Sequence, residues 1–334
     1  MKSLVTGGAG FIGSHVVDRL LADGHDVYVV DNLSTGKIEN VQHHLQNDRF
    51  HLVNDTILNE TLMDRIISQV DMVFHLAATV GVWHIMADPL NSVLTNVQGT
   101  EVILKYAYKY WKKVVFASTS EIYGKSQRFP FNEDDDRVLG PTQVHRWSYS
   151  TAKAIDEHLA FAYHDKGLPV VILRYFNSYG PRMDPRGYGS VVAKFISQAL
   201  RGKPITVHGD GQQTRCFTFI DDTVQGTVLA ATKPAAEGEV FNIGRSRETS
   251  ILQLAETIQR LAGPSSEITF IPYTQAYGEY FEDTLRRVPD VSKAEEVLGF
   301  KAEVPLEEGL KKTVEWFRQG GLPRLESVPL EPIG

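Results

Sequence analysis

The sequence predicts an α/β fold, a doubly wound parallel sheet followed by a smaller C-terminal α/β domain. Three observations predict it. Leu4-Val5 runs into Thr6-Gly7-Gly8-Ala9-Gly10-Phe11-Ile12-Gly13, a strand that turns through glycines into a helix. From there to about residue 176, short apolar runs alternate with helical stretches, as strands covered on both faces require. After Arg174 the texture changes to a Gly- and Pro-rich loop, residues 177–190, and shorter elements.

The first turn carries chemistry as well as shape. Glycine suits it because the backbone bends sharply and because a side chain would hold a pyrophosphate away from the chain. The helix beginning near Phe11 offers free N–H groups and partial positive charge to that phosphate. A second strand, Val27–Val30, ends in Asp31. A carboxylate there suits the two hydroxyls of an adenosine ribose and repels a 2′-phosphate, which points to NAD rather than NADP.

The remaining strands are predicted at 50–53, 72–76, 113–117 and 170–174. Helices fall near 12–23, 59–69, 90–110 and 149–166. Asp55 and His75-Leu76-Ala77-Ala78 lie at carboxyl ends of strands, the ligand edge of an open sheet. Asp55 is placed to accept a hydrogen bond from adenine, and Ala77 and Ala78 let a flat cofactor lie close or, equally, let a helix pack close. Beyond the loop a helix at 191–200 precedes a strand at 205–207. Phe217–Ile220 is expected to rejoin the main sheet, with Asp221-Asp222 capping the next helix. A helix at 251–261, a strand at 268–271 and a closing helix at 305–317 follow, then a loosely held tail from Pro323. The expected division is 1–176 with about 216–244 for the dinucleotide domain, and about 177–215 with 245–330 for the second domain. A substrate would lie between them.

Composition narrows the function classes. Hydrophobic residues are 42% and charged residues 22% of 334, the make-up of a globular protein. The net charge of -7 argues against a nucleic-acid partner, so an anionic ligand must be held by a few local arginines. Cys216 is the one cysteine, which excludes an internal disulfide and a Cys-rich metal site and suits a reducing cytosol. No metal is expected. The chain enters its first strand directly and has no membrane-length apolar run, so a cytoplasmic location is expected.

Tyr149-Ser150-Thr151-Ala152-Lys153 opens a helix, and the spacing of four puts the phenol and ammonium on one face. A free phenol, with pKa near 10, is a poor base at neutral pH; a neighbouring ammonium and a positive nicotinamide would lower it. Tyr149 can then take a hydroxyl proton while hydride leaves the same carbon. Alone, such a pair is as often a snorkelling surface couple. Thr119 and Ser120, at the end of the strand before it, add hydroxyls next to the same site.

With these residues in order, the chain resembles the extended short-chain dehydrogenase/reductase family, over nearly its whole length to about residue 318. The narrower likeness is to nucleotide-sugar epimerases and dehydratases. It is carried by His75–Ala78, Asn96, Arg174-Tyr175-Phe176-Asn177, Gly209-Asp210-Gly211, Thr214-Arg215 and Arg286–Asp290. The resemblance implies a Rossmann-type sheet and NAD held by Gly7, Gly10, Phe11, Ile12, Gly13, Asp31, Asn32, Asp55, Leu76, Ala77, Ala78, Asn96, Tyr149 and Lys153. It makes Tyr149 the acid/base, with Lys153 and Thr119 completing the triad. Ser120, Asn177, Val192, His208, Arg215, Arg287 and Asp290 would meet a UDP-sugar, the two arginines at its diphosphate. His208 stands where relatives often carry an aromatic, which leaves uracil or thymine open as the base.

The shared first step in such enzymes is oxidation at sugar C4. Return of hydride to the other face gives a 4-epimerase. A 4-ketone also permits loss of water through C5, or loss of a C6 carboxylate as carbon dioxide. Glu121 bears on the choice, because Thr119-Ser120-Glu121 resembles the motif of UDP-glucuronate decarboxylases and GDP-mannose dehydratases. Against that, Ser150-Thr151-Ala152 and Thr79–Val82 depart from decarboxylase patterns. The sequence alone therefore favours a UDP-glucose/galactose or UDP-glucuronate/galacturonate 4-epimerase. A decarboxylase or 4,6-dehydratase using Glu121 is the alternative, and a non-catalytic nucleotide sensor is the alternative of another class. Arg182 and Arg186, in the loop over the site, are either carboxylate ligands or solvated charges. Tyr106, Tyr108, Tyr110, Phe161 and Tyr163 suggest two helices that pair across a dimer axis.

Overall fold

The computed structural model describes residues 1–81, 88–184, 190–263, 266–277 and 284–321. Its centre is a seven-stranded, all-parallel sheet in the order β11-β6-β5-β4-β1-β2-β3. These strands are β1 (Lys2–Thr6), β2 (Asp26–Asp31), β3 (Phe50–Asn54), β4 (Met72–His75), β5 (Lys113–Thr119), β6 (Val170–Tyr175) and β11 (Val240–Ile243). Six of them stand where the apolar runs predict. The crossing from β1 to β2 on one side and to β4 on the other makes the switch point at which such sheets bind ligands.

Neighbouring residues of each strand enter opposite layers, as a pleated strand dictates. Leu4, Val30, Val73, Val114 and Ile172 pack with Ile66 of helix α2 (Glu60–Gln69) and Ile103 of α3 (Pro89–Lys109). Val5, Val29, Phe74, Val115 and Val171 pack with Val16 and Leu20 of α1 (Phe11–Ala22). Helix α4 (Ser148–His164) lies against α3. Asn59 caps α2 and Asp88 caps α3 through side-chain oxygens, whereas α1 starts at Gly10 with no side-chain cap. The first N–H groups of α1 are thus left for another acceptor.

Two expectations are corrected. Phe217–Ile220 does not rejoin the main sheet: β10 (Thr218–Phe219) pairs with β7 (Ser178–Tyr179), and the seventh main strand is β11. Asp221 and Asp222 do not cap helix α6 (Ile220–Thr232); Phe219 occupies the cap without a side-chain bond. Asp222 instead accepts the N–H groups of Glu303 and Val304, both at 3.1 Å, and ties the segment before the closing helix to α6.

The later elements are α5 (Val191–Leu200), β8 (Ile205–His208), β9 (Thr214–Cys216), β12 (Glu248–Ser250), α7 (Ile251–Ala262), β13 (Ile268–Ile271), α8 (Tyr273–Tyr277) and α9 (Leu306–Trp316). β13 pairs in parallel with β8, and β12 antiparallel with β9. The tail from Pro323 lies outside the described residues. No helix is long and apolar enough to cross a membrane among the described residues.

Candidate active site

At the carboxyl edge of the sheet lies a cavity of about 390 Å³. Its floor is the turn after β1. Gly7 has φ +70°, and a side-chain carbon there would stand 2.8 Å from the Ala77 backbone. A carbon on Gly13 would collide with the Gly7 carbonyl, so the turn and helix close on each other only with glycine. Of the residues expected to hold a dinucleotide, all but Asn96 line this cavity. Asn96 is buried and grips Thr79 instead, accepting its N–H at 2.7 Å and donating to its carbonyl at 3.2 Å; Thr95 lines the cavity in its place.

Asp31 is nearly buried, and burial raises its pKa while N–H bonds from Leu33 (2.8 Å) and Ala9 (2.9 Å) oppose that. The second lone pairs of its oxygens remain for ribose hydroxyls. The Asp55 carboxylate accepts from Thr56 N–H and Asn59 Nδ2, and Asn32 from Ser34 N–H, while both stay on the cavity wall. An uncapped helix N-terminus, a glycine turn and a carboxylate at the second strand's end form a donor set that fits NAD.

Thr119, Tyr149 and Lys153 meet at the other end of the cavity. β5 carries Thr119 as its last residue, and the Thr119 hydroxyl accepts the Glu121 N–H at 3.2 Å. Burial, then the charge of Glu121, raises the Tyr149 pKa, and a hydrogen bond with Thr119 opposes them. The expected lowering of the phenol by Lys153 is therefore not the dominant effect. The Lys153 ammonium instead donates to the Ala117 carbonyl at 3.0 Å and lies 4.5 Å over the Phe116 ring.

Glu121 is locked between two guanidiniums. Arg146 Nη2 is 2.6 Å from one carboxylate oxygen and Arg287 Nη1 is 2.7 Å from the other. Burial alone would raise its pKa, but Arg287 and Arg146 outweigh burial and bring it to about 2. The Ser150 hydroxyl donates to the Glu121 carbonyl at 2.8 Å, fastening this turn to the helix of Tyr149. Arg146 is a residue that sequence reasoning missed. It stands three positions before Tyr149, where one arginine ahead of a helix gives no distinguishing pattern.

The expected substrate residues divide. Asn177 lines the cavity with φ +37° and donates to the Cys216 carbonyl. Ser120, Val192, His208, Arg215, Arg287 and Asp290 do not line it. Ser120 and Val192 are buried in the protein. His208 pairs with Lys194 at 2.9 Å, Arg215 donates to the Thr214 carbonyl, and Asp290 accepts from Ser292 and Asn132. Arg182 is bound to Asp18 at 2.7 Å and lines the cavity; Arg186 lies outside the described residues.

Comparison with known proteins adds to this geometry. The family GDP-mannose 4,6 dehydratase matches residues 4–313. The chain is 44% identical over 318 residues to UDP-N-acetyl-alpha-D-glucosaminuronate decarboxylase of Bacillus cytotoxicus, covering 95% of this chain and 98% of that one. It is 38% identical to UDP-glucuronic acid decarboxylase 1 of Xenopus tropicalis, over 95% of this chain and 72% of the relative. Among solved structures, UDP-glucose 4-epimerase of Thermotoga maritima superposes with a TM-score of 0.86 at 39% identity, covering 96% and 99% of the two chains. UDP-glucuronic acid 4-epimerase of Bacillus cereus, in complex with UDP-glucuronic acid and NAD, gives 0.85 at 34% identity with the same coverage. The chain belongs to the GDP-mannose 4,6-dehydratase-like family of extended short-chain dehydrogenases/reductases, NAD-dependent enzymes of nucleotide sugars.

Proposed function

We propose that the protein is an NAD-dependent decarboxylase of a UDP-linked hexuronic acid. The observation that carries this reading is the Arg146–Glu121–Arg287 cluster beside Thr119 and Tyr149. Two guanidiniums grip one buried carboxylate in the turn that follows Thr119, behind the wall of the cavity. Arg287 Nε is buried without a hydrogen-bond partner among the described residues, a donor suited to a bound anion.

Gly7, Gly10, Gly13 and Asp31 would hold NAD, which would supply a reversible hydride acceptor for sugar C4. Tyr149 accepts the proton of the C4 hydroxyl, and Thr119 hydrogen-bonds the same oxygen. With a ketone at C4, the C5–C6 bond breaks and its electron pair passes into the ketone as an enolate. Thr119 and Tyr149 stabilise the charge on that oxygen. Carbon dioxide leaves, C5 takes a proton from water, and Tyr149 returns its proton to the C4 oxygen as the ketone is reduced. No base at C5 is needed. Dehydration does need one, and a carboxylate held at about pKa 2 is a weak base.

The sequence alone favours a 4-epimerase, and that second reading keeps the support of Ser150-Thr151-Ala152 and of the similar epimerase structures. One consideration favours the decarboxylase: the identity to decarboxylases, 44% over 318 residues for one of them. A sensor would have no use for Thr119, Tyr149 and Lys153 converging on one cavity.

The test is product analysis by chromatography and mass spectrometry. The purified protein is given UDP-N-acetylglucosaminuronate, UDP-glucuronate or UDP-glucose, with no NAD added. Loss of carbon dioxide from a uronate is expected. An unchanged mass at a new retention time would establish the epimerase instead.

We also infer a homodimer in a reducing, cytoplasmic setting. Tyr106 and Tyr110 are used within the chain, bonding Glu60 and Asp64, but Leu90, Leu94 and Ile155 remain exposed on the two paired helices. Light scattering at working concentration should give twice the mass of the chain; a monomer would refute the inference.

A further inference from the structure

Under the Tyr149–Lys153 pair lies a carboxylate that the chemistry above leaves without a task. Asp156, three residues past Lys153 on α4, is fully buried. One of its oxygens is 3.6 Å from Lys153 Nζ, itself almost entirely shielded from solvent. Thr100 of α3 lies near the same carboxylate and favours its charged form, while neither Asp156 oxygen has a full hydrogen-bond partner among the described residues. Behind Thr100, His75 of β4 bonds the Thr100 hydroxyl at 3.1 Å and the Thr6 hydroxyl at 2.8 Å. Burial, with the nearby Lys153 charge, lowers the His75 pKa to about 3, so the ring faces Asp156's surroundings uncharged. Glu157, the next residue on the helix, is already matched: it accepts two bonds from Arg174, at 3.0 and 2.7 Å, and one from Ser118 at 2.6 Å. Lys153 is the cation that faces Asp156.

A buried charge is retained at high cost unless it is paired. Both members of this pair are buried, and one belongs to the reactive triad. We propose that Asp156 is a positioning residue for the hydride-transfer chemistry, holding the Lys153 ammonium charged and seated beneath Tyr149. Burial by itself lowers the Lys153 pKa, and Asp156 is the first group that opposes it. Burial raises Asp156 to about 6 against the pull of Lys153, and the Asp156 charge also adds to the rise of the Tyr149 phenol. The proposal rests on the Tyr149 acid/base role, which the decarboxylase and epimerase readings share. The identity of the product therefore does not bear on it.

Removing one negative charge lowers the pKa of every group that feels it. Asp156→Asn keeps the shape and removes the charge. In the NAD-loaded enzyme, with whichever UDP-sugar it converts, both limbs of the kcat–pH profile should move to lower pH by about one unit. On the alkaline side of the profile kcat should fall about tenfold while KM stays within about twofold. An activity-free readout is the ultraviolet tyrosinate signal of Tyr149, taken as the difference from a matched Tyr149→Phe protein; it should also move to lower pH. Limbs and Tyr149 titration that stay in place, whatever kcat does, would overturn the proposal. If the Asn protein does not fold, Thr100→Val decides. It keeps the carboxylate but removes a hydroxyl that favours its charged form, so a smaller shift in the same direction is expected, and an unmoved Tyr149 titration refutes the idea. Should no UDP-sugar be converted, the proposed reaction fails, and the tyrosinate titration still tests Asp156.

Discussion

Tyr149→Phe is expected to retain NAD and lose about a thousandfold in kcat, the usual scale for removing a positioned acid/base. The ring packs as before, so the cavity and its glycine floor keep their form. What disappears is the hydroxyl beside Thr119 that exchanges a proton with the sugar oxygen. Fold and cofactor content are read by thermal melting and by the nucleotide released on denaturation, and turnover by product formation. A Phe protein within about tenfold of the parent would remove Tyr149 from the mechanism, because no residual effect of binding alone accounts for such activity.

Glu121→Gln has the second large effect, mainly on stability. It leaves Arg146 and Arg287 buried beside a neutral amide, and breaking a buried ion pair from one side costs about 3–5 kcal/mol. The pH dependence has a defined sign. The carboxyl falls from its ordinary value of about 4.5 to about 2 in the fold. It therefore contributes about 3 kcal/mol of stability above pH ~4.5, lost as pH drops toward ~2. Urea unfolding of the Gln protein should show that contribution missing at neutral pH, and its difference from the parent should shrink on acidification. Turnover should survive with the same product, reduced about 10- to 100-fold through loosened arginines. A well-folded Gln protein with no conversion at all would show that the carboxylate itself carries a proton.

The central sheet is legible in the sequence because six strands are continuous apolar runs bounded by turns, a pattern that burial on both faces enforces. The seventh strand, Val240–Ile243, is a four-residue run that periodicity does not separate from a loop or buried turn. Phe217–Ile220 looks the same locally, and only its long-range pairing with Ser178–Tyr179 tells the two apart. Asp221-Asp222 has the composition of a cap, yet Asp222 bonds residues 81 and 82 positions away. The glycine turn, Asp31 and the Tyr–Lys spacing are readable because their chemistry fixes residue type and separation. Arg146 is not, because it meets Glu121 across the fold, and Asp156 is not, because the i,i+3 spacing to Lys153 leaves open whether the pair is buried or solvated. Lys153 shows the same limit: the spacing puts it below Tyr149, while Asp156 and the Ala117 carbonyl decide where its charge goes.

The carboxylate at the end of β2 ties cofactor preference to loop rigidity. Asp31 holds the Ala9 N–H of the glycine turn, and a side-chain carbon on Gly36 would stand 2.7 Å from it. An exchange that invites a ribose 2′-phosphate by replacing Asp31 also unties the pyrophosphate turn. A shift toward NADP therefore calls for a second hydrogen-bond acceptor beneath Ala9, supplied together with the new cation rather than after it.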